Sequence, residues 1–349
     1  MLLKPLNKNF AANISSQLMV VMITLMMITA GCNNEPRQRQ QAGDSSETKE
    51  QPVPVPQFDA DSAFSFVKQQ VDFGPRVPET KAHAAVVAWM LGALQQWADT
   101  VMLQDFVARV YDNRIFNGKN IIASFNPEEK SRIFLSAHYD SRPFADHDAD
   151  PANHQTPIDG ANDGASGTGV LMEIARQLHL HPVSKGIDII LFDLEDYGPP
   201  QDSQTDQSTD TWGLGSQHWS ANPHQPNYNA RYGILLDMVG AADATFPLEG
   251  FSMHYAPDIT KKVWETAAAA GYGDYFVFEK GTYITDDHYF INTIAKIPTL
   301  NIIHLDPASA NGTFYDPWHT LADDITQIDP ATLKAVGQTL LTVIYQGGF

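Results

Sequence analysis

Residues 187–197 read Ile-Asp-Ile-Ile-Leu-Phe-Asp-Leu-Glu-Asp-Tyr, and no other stretch constrains the chain as strongly. Ile187, Ile189, Ile190, Leu191, Phe192 and Leu194 make a nearly continuous apolar run, β-branched at its start and of strand length. A strand with one wet face alternates apolar and polar residues. This run does not, so it predicts a strand over 187–194 buried on both faces, with helices covering each side. It ends in two adjacent carboxylates, Glu195 and Asp196. In an open α/β sheet the ligand crevice lies beyond the carboxyl ends of the strands. Neighbours on an extended end point in opposite directions, so one acid can serve a metal and the other a proton. Taken alone, the pair reads first as a helix cap, Asp196, beside a solvated Glu195.

The flanking sequence supplies the covering layers. Helices are predicted from the Asp61-Ser62 start, over 80–98, 166–180, 215–221 and 259–270, and from Asp329-Pro330 to near Tyr345. Strands are predicted over 102–111, 119–125, 133–137, 232–238 and 297–303. Strands alternating with helices give an α/β fold. Its expected form is a three-layer sandwich with a central mixed, mostly parallel sheet, antiparallel at the edge where the early strands sit.

One theme recurs at the strand ends, where an apolar run meets an acid or a histidine. It appears at His138-Tyr139-Asp140, at Glu195-Asp196, at Asp237 and at His304. Two loops join it: Gly160-Ala161-Asn162-Asp163-Gly164 and Trp318-His319-Thr320. A single such residue is commonly a cap or a satisfied core group; Asp163 reads as a helix-start carboxylate and His319 as a turn histidine. So many converging on one sheet edge point to a hydrolytic metal centre. The donors are imidazole and carboxylate with no thiolate, which suits Zn²⁺ held by protein ligands with a position left open. A net charge of −19 excludes a nucleic-acid surface, which needs a basic patch.

In order along the chain, His138-x-Asp140-Ser141, Gly160-Ala161-x-Asp163, Glu195-Asp196, Leu236-Asp237, Asp287-His288 and His319 resemble the M28 zinc peptidase clan. Phe73-Gly74-Pro75-Arg76-Val77-Pro78, Pro200-Gln201-Asp202-Ser203, Asp286-Asp287-His288 and Trp318-His319-Thr320 resemble one branch, the animal-type (type II) glutaminyl-peptide cyclotransferases. The likeness spans residues 58–349. It implies one zinc held by Asp163, Asp196 and His319, an acid/base at Glu195, supporting carboxylates at Asp237 and Asp286, and an aromatic wall including Trp318 and Phe314. The implied substrates are peptides and proteins with an N-terminal glutamine, converted to pyroglutamate with release of ammonia. Asp196 stands where the family usually has Glu, one methylene longer. The loop over 199–211 differs in length, and Trp212 is a substitute wall there. The rival implied by the same clan is a dizinc aminopeptidase, with His138, Asp163, Asp196, Asp237 and His319 as ligands.

The N-terminus carries Lys4 and Lys8, an apolar segment over 18–30, then Gly31-Cys32. The segment is too short to span a bilayer comfortably and matches a signal-peptide core. Ile28-Thr29-Ala30-Gly31-Cys32 resembles a bacterial lipobox, with Thr29 where Leu is common. Cys32 is the only cysteine, so neither a disulfide within the chain nor a thiolate metal site is available. The expected organisation is a leader over 1–31, a lipidated Cys32 with a Gln/Glu/Ser/Pro-rich tether to 57, and one catalytic domain over 58–349. The lipid would hold the domain at a membrane of a bacterial envelope, facing the periplasm. Asn33 and Asn34 lack the aspartate of inner-membrane retention, which leans towards the outer membrane.

Overall fold

A computed structural model describes residues 54–201, 203 and 211–347. The expected leader, Cys32 and most of the tether lie outside the described residues. In chain order the elements begin α1 (Ala60–Asp72), α2 (Lys81–Trp97), β1 (Thr100–Arg109), β2 (Ile115–Phe125), β3 (Arg132–His138), α3 (Ala165–Leu180) and β4 (Gly186–Phe192). There follow α4 (Leu214–Ala221), β5 (Gly233–Asp237), β6 (Phe246–Leu248), α5 (Gly250–Tyr255) and α6 (Pro257–Ala269). The last are β7 (Phe276–Lys280), α7 (Asp287–Phe290), a π-helical turn (Ile291–Ala295), β8 (Thr299–Ile303) and α8 (Pro330–Gln346).

The main sheet runs β1-β2-β4-β3-β5-β8. β1, β2 and β4 pair antiparallel, while β4, β3, β5 and β8 pair parallel. This is the expected mixed sheet with its antiparallel edge. Every residue of β3 and β4 is buried, and consecutive residues feed different cores. Ile189 and Leu191 join the larger core, with Val67 of α1, Met90 of α2, Leu171 of α3 and Val336 of α8. Ile190 and Phe192 join the smaller one, with Trp219 of α4 and Ile291 of the π turn. The period-2 alternation of the strands thus divides one apolar run between two helical layers. Asp188 interrupts the run without cost because Arg132 grips it from Nε and Nη2 at 2.7 and 2.9 Å, while Ser124 Oγ and Tyr228 OH each donate at 2.6 Å.

Three details differ from the sequence reading. Helix α1 is capped by Asp59, which accepts from Ser62 N, because that carboxylate precedes the first turn and Asp61 lies within it. The strand expected to reach Leu194 stops at Phe192, where the chain turns through Leu194 at φ 57°. Glu195 and Asp196 therefore do not alternate on an extended end; the turn directs both into one cavity. Finally β6, β7, α5 and α7 were not foreseen: β6, α5 and α7 are too short to show a hydrophobic period, and β7 has only three apolar residues before Glu279 and Lys280.

Candidate active site

The parallel strands deliver their polar ends to one edge. His138 and Asp237 are the last residues of β3 and β5, and Glu195 and Asp196 follow the turn after β4. Asp163 precedes α3, whose cap Gly164 has φ 91°; a Cβ there would meet Asp140 O at 2.6 Å and the His138 ring at 2.9 Å. Glycine is required for that close approach. The cap position of the helix falls to Gly164, and Asp163 faces His138 Nε2 at 3.1 Å and His319 Nε2 at 3.5 Å. Asp286 caps α7 through Asp287 N and accepts from Asn301 Nδ2 of β8 at 2.6 Å.

The eight residues to which the resemblance gives roles in the cyclase site line a single cavity of about 230 Å³: Asp163, Asp196, His319, Glu195, Asp237, Asp286, Phe314 and Trp318, while His138 lies outside that lining. Trp212 adds a further wall. Trp318 stacks on His319 at 3.7 Å between ring centroids and packs on Phe314 at 4.4 Å. His304 is not among them; it packs near Tyr315, and burial pushes its pKa down to about 4.

Donor atoms of Asp163, Asp196 and His319 lie within 4.8 Å of one another, and all three residues are buried. His319 Nε2 is 3.2 Å from Asp196 Oδ1 and 3.5 Å from Asp163 Oδ2. Asp196 Oδ2 is buried without a hydrogen-bond partner, which is costly for a carboxylate unless a cation answers it. A zinc ion fits this donor set, which leaves a coordination position for substrate. A second buried group, His138, Asp163 and Asp237, shares Asp163 with the first; there His138 Nε2 sits between Asp163 Oδ1 at 3.1 Å and Asp237 Oδ1 at 3.3 Å.

The carboxylates differ in electrostatics. Burial, opposed by His138 and reinforced by Asp286, Asp287 and Asp196, holds the Glu195 carboxyl well above the usual range. Burial, against the His138 hydrogen bond and with Asp286 and Asp163 nearby, pushes Asp237 up to about 7. Asp286 is raised by burial as well. Asp163 is buried too, but its hydrogen bond to His138 and the charges of His138, His319 and Arg142 bring it below the usual range. Asp196, the second carboxylate of the ligand group, is raised by burial against the charge of His319, so Asp163 alone stands apart as the anion of the cluster.

The supporting frame was largely missed from sequence. Arg142 is buried and donates to both oxygens of Asp146, at 3.0 and 2.7 Å; Asp146 in turn faces His319 Nδ1 at 3.5 Å. This leaves Nε2 to point at the two aspartates, the carboxylate–histidine arrangement that orients a metal ligand. Arg142 also donates to the carbonyls of Asp196, Gly198 and Pro199 and lies under the Trp212 ring at 4.8 Å. Asp140 accepts from the backbone N–H of Glu195 and of Asp196, both at 3.2 Å. Asp323 accepts from those of Asn162 and Asp163, so this acid, four residues after His319, anchors the Asp163 turn. His319 is buried at φ 56°, which rules out the surface-turn reading.

The sequence profile of Peptidase family M28 matches residues 120–344. The chain belongs to peptidase family M28. Among solved M28 structures it is similar to a Bacteroides thetaiotaomicron glutaminyl cyclase crystallised with N-acetylhistamine. The two are 54% identical with a TM-score of 0.82, over 84% of this chain and 99% of that one. It is 27% identical to the glutaminyl-peptide cyclotransferase of Drosophila melanogaster, over 74% of this chain and 73% of that protein. Aminopeptidase YwaD of Bacillus subtilis is also 27% identical, over 72% of this chain, which spans only 48% of that protein's length.

Proposed function

We propose that this M28 chain is a zinc-dependent glutaminyl-peptide cyclotransferase acting on peptides and proteins with an N-terminal glutamine. The observation that carries the reading is the single cavity of about 230 Å³, in which a three-residue ligand group, three further carboxylates and aromatic walls converge. Its likeness to bacterial and animal glutaminyl cyclases supports the same reading.

Asp163, Asp196 and His319 would hold one zinc, which when bound supplies Lewis-acid polarisation of the glutamine side-chain carbonyl. The substrate's neutral α-amine attacks the side-chain amide carbon, forming the ring C–N bond. Glu195 accepts the proton that the amine loses and delivers it to the departing amide nitrogen, which leaves as ammonia when the old C–N bond breaks. Asp237 and Asp286, buried beside Glu195, favour a shared proton over three full charges. The Trp318, Phe314 and Trp212 walls hold the glutamine folded on itself, which replaces the entropy of finding that geometry in water.

Two features favour weighing a dizinc aminopeptidase as the alternative: the His138–Asp163–Asp237 group, and the similarity to YwaD. Incubation with a glutaminyl peptide and, separately, a leucyl anilide decides between them. The cyclase reading expects ammonia from the first and no cleavage of the second; anilide cleavage without ammonia would sink it. We further infer that Cys32 carries a lipid and that the tether to residue 57 suspends the domain over 58–349 on the periplasmic side, at the outer membrane. The lipobox-like run ending at the lone cysteine supports this. Labelling with a tagged fatty acid checks it: label expected on the natural chain and absent from Cys32→Ser.

A further inference from the structure

Three successive backbone N–H groups carry the chain from β4 into the catalytic cavity, and each is taken by a buried carboxylate. Asp193 Oδ1 accepts from Leu194 N at 2.9 Å, and Asp140 accepts from Glu195 N and Asp196 N, both at 3.2 Å. The first of these bonds bears on the strained residue. Leu194, at φ 57°, holds a left-handed conformation that a side chain disfavours, and such a residue persists only where its surroundings over-determine it.

Asp193 is itself held from several sides. His83 Nε2 lies 3.0 Å from each of its oxygens, and both residues are buried, His83 at 2% exposure. Facing two carboxylate oxygens, that nitrogen carries a proton and donates. Lys119 N donates to Asp193 Oδ2 at 2.8 Å, and Asn120 Oδ1 accepts from Asp193 N at 3.1 Å. His83 is fixed in turn, because it sits in the first turn of α2 with its own N–H bonded to the cap, Thr80 Oγ1, at 3.2 Å. The Tyr139 ring stacks on it at 5.5 Å between centroids. The Tyr139 hydroxyl lies 3.3 Å from His83 Nε2 and donates to Lys119 O at 2.8 Å. Burial opposes a charge on His83, yet the Asp193 carboxylate raises its pKa above the ordinary value, which marks the bond as charge-assisted.

Resting on the cyclase reading for the role of Glu195, we propose that His83 is a positioning residue: through Asp193 it locks the Leu194 turn and so sets where Glu195 and Asp196 point. Because His83 spans both oxygens, it fixes the plane of the Asp193 carboxylate, and with it the direction of Oδ1 towards Leu194 N. Without that donor the carboxylate can rotate and the turn can relax towards a conformation leucine prefers. The Leu194 side chain stays packed with Val77, Phe116 and Tyr197, so the response is a local tilt of the turn rather than unfolding. A tilt of this kind moves an acid/base out of line with the reacting atoms, which lowers kcat while the walls that bind the substrate stay in place.

The test compares His83→Phe, which keeps a ring and removes the donor, with His83→Gln, which keeps a donor of similar reach. Ammonia release from a glutaminyl peptide is measured at saturating zinc with kcat and KM separated, and zinc affinity by competition with a chelator. In His83→Phe, kcat should fall by about tenfold or more with KM changed by less than about twofold. Zinc affinity should fall by about tenfold or more, because Asp196 rides on the same turn. His83→Gln should recover most of both. Denaturant melts on the same preparations record stability, the one quantity that a merely structural histidine would move. Stability lost with kcat unchanged in the folded protein, or a His83→Gln as slow as His83→Phe, overturns the proposal. Should His83→Phe fail to fold, Tyr139→Phe removes the hydroxyl beside Nε2 and should lower kcat by about threefold, and no loss there overturns it equally. No ammonia from the natural chain overturns the cyclase reading instead, and zinc affinity in the variants then decides on His83.

Discussion

Strand β4 carries a buried acid, Asp188, near its start, and two more, Glu195 and Asp196, follow the turn beyond its end; the two places are treated in opposite ways. At its start, Asp188 receives four hydrogen bonds, two of them from a forked guanidinium. Past its end, Asp196 Oδ2 is buried without a hydrogen-bond partner, and Glu195, Asp237 and Asp286 crowd into the same cavity. The first arrangement is what a fold does with a charge it must bury: it satisfies every lone pair. The second would be a defect in a purely structural core, because each unanswered carboxylate destabilises the folded state. An incompletely satisfied cluster beyond the end of a strand whose start carries a satisfied acid marks where a ligand is meant to complete the site.

The largest effect expected is catalytic. Glu195→Gln keeps the shape of the side chain and removes the proton acceptor, so kcat should fall by about 10²–10⁴-fold with zinc content unchanged. Steady-state ammonia release and metal analysis on the same preparation check this. A small loss of rate would mean that another group moves the proton.

Removing the satisfied acid should do the reverse. Asp188→Ala leaves Arg132 buried and unpaired, so unfolding should become easier by about 3–5 kcal/mol with metal affinity retained in the folded fraction. Denaturant melts with and without zinc measure both. Equal loss of stability and of metal binding would erase the contrast between the two ends.

The frame can be tested more finely through Asp146→Asn. This variant weakens both the Arg142 clamp and the orientation of His319, and zinc affinity should drop by about 10–100-fold. Competition with a chelator reads it. An unchanged affinity would show that His319 is oriented by its stacking on Trp318 alone.

These comparisons also show what the sequence could disclose. An acid or histidine following an apolar run is visible in one dimension, so Glu195, Asp196, Asp237 and the strands carrying them were legible, as was the α/β sandwich. The turn at Leu194 was not, because a left-handed leucine carries no sequence signal and is imposed by bonds from elsewhere, such as Asp140 to the N–H groups of Glu195 and Asp196. Arg142 and Asp146 escaped for a related reason. They sit i and i+4 in an irregular loop, and their partners lie far along the chain, at 196–199 and at 319. The one available hint was an opposite-charge pair, Arg142 and Asp146, in the loop that follows the strand ending at His138. The three-residue β6 was too short for any period to show.

The smallest expected effect concerns acid stability and a second satisfied acid, Glu249. It is buried, yet His288 and Ser252 bring it down from the ordinary glutamate value of 4.5 to about 2. A depressed pKa contributes stability above the unfolded value, and this contribution disappears as pH falls from about 4.5 towards 2. Glu249→Gln should therefore lower the melting temperature at neutral pH and flatten the acid limb below pH ~4.5. A variant that keeps the slope of the natural chain would place the acid sensitivity in other carboxylates.

The most direct test of the account is metal stoichiometry in the natural chain and in Asp237→Asn, measured with ammonia release from a glutaminyl peptide. The account predicts about one zinc per chain in both, with turnover reduced in the variant, since Asp237 acts beside Glu195 and not on the metal. Two metals in the natural chain, one of them lost in Asp237→Asn, would contradict it. The unsatisfied end of β4 would then be a two-metal peptidase centre, with His138 and Asp237 as ligands.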